Sequence, residues 1–205
     1  MKKQTLFTIV TATLLASATQ ASQEQLATSM KEVRLEAGQT RDQLATTLAA
    51  LTKLTKQEKG DMRPAYEAFT AEVAKTEKAA VATGTRVAWM QGDGMKYFED
   101  WQKTISSINN ESLRKKSQKR LDAVKKSYGK VTAEFKEATE KFKPFLADLG
   151  DIQKVLSTDL TATGVKGLRS TVSSANSNYK SVNRTINSAL EEMKTMEKEL
   201  SPEAK

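Results

Sequence analysis

The chain has 205 residues, with 33 Lys and Arg against 25 Asp and Glu, and it contains neither Cys nor His. The missing residue types exclude disulfides, thiolate nucleophiles, imidazole bases and the zinc, copper or haem sites that need those ligands. With 38% hydrophobic, 6% aromatic and 28% charged residues, the composition favours long, surface-rich helices over a compact α/β core.

The N-terminal segment has the pattern of a secretory signal peptide. Lys2 and Lys3 precede a short apolar run, and small residues follow that offer Ala18 or Ala21 as the last residue before cleavage. The apolar run is too short to span a bilayer. We therefore predict a signal peptide over residues 1–21, a single helical-bundle domain over residues 22–205, and a periplasmic location. An uncleaved N-terminal anchor is the alternative.

Apolar residues then recur at alternating spacings of three and four, which is typical of helices packed lengthwise. The first run covers residues 26–54 and has two threonines among its inward positions. The second run, residues 66–108, is more broken, because we assign Gly84 and Gly94 to its inner face. Each internal glycine costs a helix about 1 kcal/mol relative to alanine.

The third and fourth runs, residues 121–156 and 165–200, are fully regular. The third run includes three phenylalanines: Phe135, Phe142 and Phe145. We interpret them as inward packing residues of one helix and not as the lining of a pocket. Pro144 is placed on the opposite side of that helix, where a proline bends the helix around its partners.

Short polar stretches separate the four runs. Gly60 and Pro64 predict the end of one helix and the start of the next, and Asn109 or Asn110 predicts an N-cap. No short segment shows the period-two alternation of a strand. The predicted fold is therefore all-α, an elongated antiparallel bundle of about four long coiled-coil-like helices, of which the second and third have about 45 residues.

Residues 114–130 form the one dense charge cluster, with eight basic residues and a single acid. Four of its lysines share a helix face opposite the apolar positions: Lys115, Lys119, Lys126 and Lys130. This face is interpreted either as a solvated outer surface or as a docking surface for an anionic partner. An exported protein would meet anionic lipid, envelope polymers or acidic proteins there, and we expect no nucleic acid partner.

No pattern in the sequence indicates an active site. The carboxylates are not joined by a glycine-rich loop or a nucleophile elbow. The one candidate calcium loop, residues 89–100, fails because Trp89 would occupy a position that needs an oxygen ligand. We predict a protein that is not an enzyme, with no catalytic residue, cofactor, metal or small-molecule substrate. Five aromatic residues could suggest a stacking site: Trp89, Tyr97, Phe98, Trp101 and Phe135. Because Phe98, Trp101 and Phe135 fall in the inward runs, we favour core packing over a stacking site.

Three segments carry a resemblance, and they occur in the order DMRPAYEAFTAEVAKTEKAA, FEDWQKTISSINNESLRKKSQKRLDAVKKSYGKV and FKPFLADLGDIQKVLSTDLTATGVKGL. They are similar to a bacterial family of exported helical coiled-coil proteins known as domain of unknown function 2959. The likeness runs from Arg34 to Leu190. The family has no established activity, so the resemblance implies no site residues. Many relatives begin at a lipid-modified Cys, which this chain lacks, and we therefore expect no lipoprotein.

Two hypotheses of function follow. The first is a non-enzymatic scaffold or protein-interaction module of the cell envelope, with a protein partner or self-association. The second is a peripheral binder of an anionic membrane surface or envelope polymer through the lysine face.

Overall fold

The computed structural model describes the backbone of residues 3–57 and 59–200, and the side chains from residue 17 onwards within those ranges. These residues form five helices and no strand: α1 Lys3–Lys56, α2 Arg63–Ser106, α3 Glu111–Thr158, α4 Ala162–Gly167 and α5 Arg169–Leu200. The predicted all-α class is confirmed, and α2 and α3 have 44 and 48 residues, close to the predicted length. Most side chains of the predicted signal peptide, residues 1–21, lie outside the described part, and that peptide stays a prediction.

The predicted helix ends are confirmed in the turns between the long helices. Gly60 adopts φ 84°, the left-handed conformation that glycine tolerates best. Pro64 is the second residue of α2, where its missing N–H costs nothing. Asn110 is the N-cap of α3, because its side-chain oxygen accepts a hydrogen bond from the backbone N–H of Leu113 at 3.1 Å.

The connection predicted between the third and fourth runs contains the six-residue helix α4. The hydroxyl of Thr161 caps this helix by accepting a hydrogen bond from the backbone N–H of Gly164 at 3.1 Å. A side chain at Gly164 would lie closer than 3.0 Å to the backbone oxygen of Asp159, so only glycine fits. Val165 and Leu168, predicted to belong to the fourth long helix, therefore precede α5.

The described residues divide into two compact units. Unit 1 contains residues 3–34, 86–132 and 191–200, and unit 2 contains residues 35–57, 59–85 and 133–190. The predicted single domain over residues 22–205 stays a prediction.

In unit 1, α2 and α3 run antiparallel around an aromatic cluster. The indole N–H of Trp101 donates to the Ser117 hydroxyl at 3.3 Å, and the Tyr128 hydroxyl donates to the Met90 carbonyl at 2.9 Å. The rings of Phe98 and Tyr128 meet edge to face, with centroids 5.2 Å apart. Such aromatic pairs add to the free energy gained by burying their apolar surface.

Two tyrosines of this cluster should make unit 1 sensitive to alkali. Burial raises the pKa of Tyr97 to about 12 from an ordinary 10.0, although the positive charge of Arg120 opposes part of the rise. Burial also raises the pKa of Tyr128, and the Asp93 carboxylate adds to that rise. In the unfolded chain both phenols lose their protons near their ordinary pKa, whereas in the folded chain they keep them.

We therefore expect the free energy of unfolding to be unaffected by these groups below about pH 10 and to fall as the pH rises from about 10 towards 12. Urea unfolding followed across this range measures the fall, and Tyr97→Phe should make it less steep. An unchanged slope in Tyr97→Phe would contradict the assignment, since this substitution removes one of the two buried phenols and no other ionisable group.

In unit 2, α1 and α2 run antiparallel and are joined by paired threonines. The hydroxyls of Thr40 and Thr83 lie 2.8 Å apart, and those of Thr47 and Thr76 lie 2.7 Å apart. On both helices the two threonines are seven residues apart. Buried hydroxyls are tolerated because each has a hydrogen-bond partner.

The phenylalanines of α3 pack inside unit 2, as predicted. Phe145 is fully buried and Phe135 is 5% exposed, whereas Phe142 is half-buried. The ring centroid of Phe145 lies 6.0 Å from that of Phe142 and 6.4 Å from that of Tyr179 on α5. Pro144 is exposed, as its predicted position on the opposite side of the helix requires.

Burial confirms the regular runs and corrects one assignment in α2. All inward positions of the first run are buried, and the third run buries all but Tyr128 and Phe142. Gly94 lies on the inner face, as predicted, but the prediction for Gly84 is wrong. Gly84 is exposed, and a side chain there would meet nothing within 4 Å.

Candidate functional site

The four lysines singled out in the sequence form an exposed surface on the first half of α3, within unit 1. We call this surface the basic face and define it by Lys115, Lys119, Lys126 and Lys130. All four residues are exposed, while Leu121 and Val124 on the opposite side of the helix are 0% and 3% exposed. The basic face therefore points away from the core of unit 1, as the helix period requires.

Two members of the basic face have a carboxylate partner. Lys115 Nζ lies 2.7 Å from Glu111 Oε1, one turn earlier on α3. Lys130 Nζ lies 3.9 Å from Glu192 Oε2 on α5. All of these side chains are largely or partly exposed, so the pairs neutralise charge weakly and salt screens them.

The other two members have no ion pair within the described residues. Lys119 and Lys126 each have one acid within a turn on their own helix, Asp122. That carboxylate instead accepts a hydrogen bond from the Gln118 side-chain amide at 2.9 Å. The neutral amide leaves the charge of Asp122 in place, so the middle of the basic face has two ammonium groups and one carboxylate, an excess of positive charge.

Other basic residues of the cluster contribute to the packing of unit 1. Arg120 Nη2 donates to the backbone carbonyl of Glu199 at 3.0 Å, which satisfies a free carbonyl at the end of α5. Lys125 Nζ lies 5.8 Å from the ring centroid of Phe98, within reach of a cation–π contact. These roles come from distant segments and could not be inferred from the local sequence.

An open depression lies beside the start of the basic face. It has a volume of about 670 Å³. Its lining combines the first turn of α3 with three lysines: Asn110, Glu111, Ser112, Lys115, Lys116 and Lys119. Lys116 is exposed and makes no ion pair among the described residues. The depression is thus a broad, solvent-filled recess with one acid among three ammonium groups.

A second exposed surface, which the sequence analysis did not identify, lies on α2 within unit 1. We call it the α2 outer face and define it by Trp89, Gly92 and Met95. Trp89 is 55% exposed and Met95 is 74% exposed, and a side chain at Gly92 would meet nothing within 4 Å. The Arg86 guanidinium lies 4.7 Å from the Trp89 ring centroid. The sequence does contain a signal for this surface, because Trp89 and Met95 lie three residues before and three residues after Gly92.

The remaining aromatic and carboxylate candidates are part of the helical framework. Residues 89–100, tested above as a calcium loop, lie wholly within α2. Tyr97, Phe98 and Phe135 are buried, and Trp101 is half-buried. In the described part of the chain, no three acidic side chains come together where they could hold a metal ion. No helix there has an apolar stretch long enough to cross a membrane.

Most of the sequence matches a known family model. The match covers residues 16–200 and belongs to the family described as protein of unknown function DUF2959. The chain is a DUF2959 protein. The resemblance found from three segments is thereby confirmed and extends beyond Arg34 and Leu190 at both ends. A comparison with curated proteins gives no significant match. Membership of the DUF2959 family assigns no role to the basic face or to the α2 outer face, so any function must be argued from their own geometry.

Proposed function

We propose that this DUF2959 protein is an exported, non-enzymatic interaction module of the cell envelope that associates with a second copy of itself. The observation that carries the proposal is the α2 outer face, where Trp89 and Met95 are exposed on either side of Gly92. Neighbouring exposed apolar side chains are a common feature of protein contact surfaces, and tryptophan is enriched among the residues that dominate binding energy.

The α2 outer face is complementary to itself. Trp89 precedes Gly92 by three residues and Met95 follows it by three. If two copies of α2 cross antiparallel at Gly92, Trp89 of each copy lies beside Met95 of the other, as a two-fold contact requires. Methionine sulfur and an indole ring attract each other, and the absent side chain at Gly92 lets the two helices approach closely.

The charges at the two ends of this surface also suit an antiparallel crossing. Arg86 lies before Gly92 and its guanidinium donates to Glu32 at 2.8 Å. Glu99 lies after Gly92; its side chain is 67% exposed and its carboxylate lies 2.7 Å from Lys103 Nζ, in an exposed ion pair that is weak in water. An antiparallel crossing brings Arg86 of one copy towards Glu99 of the other, so unlike charges meet at both ends.

Export and the absence of catalysis are supported by the sequence. Residues 1–21 have the order of positive, apolar and small residues that secretory signal peptides share. The chain has no Cys or His, which excludes thiolate nucleophiles and imidazole bases.

Site-specific photocrosslinking tests the proposal in the native cell envelope. A benzophenone amino acid is placed at position 89, 95 or 155. Val155, on α3 in unit 2, is 41% exposed and serves as the matched control. We expect an adduct of twice the chain mass from positions 89 and 95 but not from 155.

N-terminal sequencing tests export. The protein from the periplasmic fraction should have Thr19 or Ser22 as its first residue.

A quantitative arm uses Trp89→Gln combined with Met95→Gln in the purified protein. Loss of a tryptophan at the centre of a contact typically costs at least about 2 kcal/mol. Because a two-fold contact contains the tryptophan twice, we expect the dimer dissociation constant from sedimentation equilibrium to rise on the order of 1,000-fold. Wild-type association should persist at high salt. Equal adducts from Val155, or a wild-type monomer without adducts, would refute the proposal. An adduct of another mass would show that the partner is a different protein and not a second copy of this chain.

A further inference from the structure

We propose that the basic face of α3 docks the protein on an anionic lipid bilayer. This goes beyond self-association, because it uses a different helix and a different kind of partner. The face presents four exposed ammonium groups, and Lys119 and Lys126 at its centre have no ion pair within the described residues. Residues 114–130 contain eight basic residues and one acid, Asp122, so this surface attracts a surface of the opposite sign.

Comparison with other lysines shows that clustering, and not the lack of an ion pair, sets the basic face apart. Lys143 and Lys154, further along α3, each lie beside an acid one turn earlier, with nitrogen–oxygen distances of 2.8 and 3.1 Å. Lys78 and Lys180 are exposed and have no ion pair within the described residues, like Lys119 and Lys126. The basic face differs because its lysines lie within a segment that has eight basic residues and one acid.

The shape of the basic face favours a bilayer over a soluble polymer. From Lys115 to Lys130 it follows the convex side of one helix for roughly 22 Å, at 1.5 Å per residue. A flexible polyanion binds best in a groove that follows its backbone, whereas a convex ridge can lie on a flat layer of headgroups. Lysine suits this role, since its flexible stem lets each ammonium group reach a phosphate independently.

The start of α3 adds a recess of suitable size for a phosphate group. The open depression beside Lys115 and Lys116 is large enough for a phosphate headgroup to enter. Three of its lining residues are lysines, Lys115, Lys116 and Lys119, so a headgroup phosphate there would have several ammonium groups around it.

Co-sedimentation of the full chain with vesicles tests the proposal. The vesicles contain equal parts phosphatidylglycerol and phosphatidylcholine, and pure phosphatidylcholine vesicles serve as the neutral reference. The test variant replaces the four members of the basic face: Lys115→Gln, Lys119→Gln, Lys126→Gln and Lys130→Gln. The control variant replaces four exposed lysines that lie outside the basic face: Lys75→Gln, Lys143→Gln, Lys154→Gln and Lys194→Gln. Both variants change the formal net charge from +8 to 8 − 4 = +4.

We expect the wild type and the control variant to bind the anionic vesicles and to be released as salt rises. Each lysine near an anionic surface contributes roughly five-fold to partitioning, so the test variant, which loses four, should bind roughly 600-fold more weakly. Circular dichroism checks that both variants remain helical.

Three results would overturn the proposal. One is equal loss in the test and control variants, which would show that net charge alone matters. Another is equal binding of the wild type to neutral vesicles. The third is tighter binding to soluble polyphosphate than to anionic vesicles with the same dependence on the basic face, which would assign the face to a polymer.

Discussion

Gly94→Ala is expected to lower the free energy of unfolding by about 2 kcal/mol, although alanine is a better helix former than glycine. A Cβ atom at position 94 would lie closer than 3.0 Å to the ring and hydroxyl of Tyr128. That ring cannot easily move away, because its hydroxyl is bonded to the Met90 carbonyl and its edge contacts Phe98. The added methyl group must therefore displace a packed aromatic side chain.

The matched control is Gly84→Ala, on the same helix. Nothing lies within 4 Å of a Cβ atom at position 84, so this variant should gain about 1 kcal/mol of stability from helix propensity alone. Urea unfolding midpoints should thus move in opposite directions. Combining Gly94→Ala with Tyr128→Leu should cost less than the sum of the two single changes, because the smaller side chain leaves room for the methyl group. Stabilisation by Gly94→Ala would show that the Tyr128 ring moves freely.

Phe145→Ala is expected to have the largest effect of any substitution considered, a loss of about 3–5 kcal/mol. Phe145 is fully buried, with the rings of Phe142 and Tyr179 as neighbours. Truncation removes its buried apolar surface and leaves a cavity that the surrounding helices fill only in part. Thermal or urea unfolding measures the loss.

Phe142→Ala makes the same chemical change at a half-buried position and should cost clearly less. If both substitutions cost the same, burial would not be what distinguishes the two rings. If Phe145→Ala left stability unchanged, the interpretation of these phenylalanines as packing residues would be wrong.

The regular runs could be predicted from the sequence because their inward residues are large and apolar. In α2 the same spacing continues, but Thr76, Thr83 and Gly94 occupy some of its inward positions. A search for apolar residues passes over them, and it therefore missed the buried Met90 and Tyr97. The threonines are tolerated there because α1 supplies matching hydroxyls, and the glycine because Tyr128 fills its space.

The orientation of the basic face was predictable for a similar reason. Once Leu121 and Val124 point inward, the helix period places the four lysines outward. Its charge balance was not predictable, because Glu192 comes from α5 and Asp122 is engaged by Gln118. The short helix α4 has too few residues to show a period, and it depends on the cap at Thr161.

The paired threonines of unit 2 have a consequence for how α1 and α2 align. A repeat of seven residues lets two helices slide by one repeat and still match apolar side chains. Such a slip of α2 against α1 would set Thr47 opposite Phe69 or Thr76 opposite Leu54, by the seven-residue spacing of these positions. A hydroxyl facing an apolar side chain loses its partner, at a cost of about 1–3 kcal/mol for each unsatisfied group. The paired threonines thus favour one alignment of α1 with α2 over the others that apolar packing alone would allow.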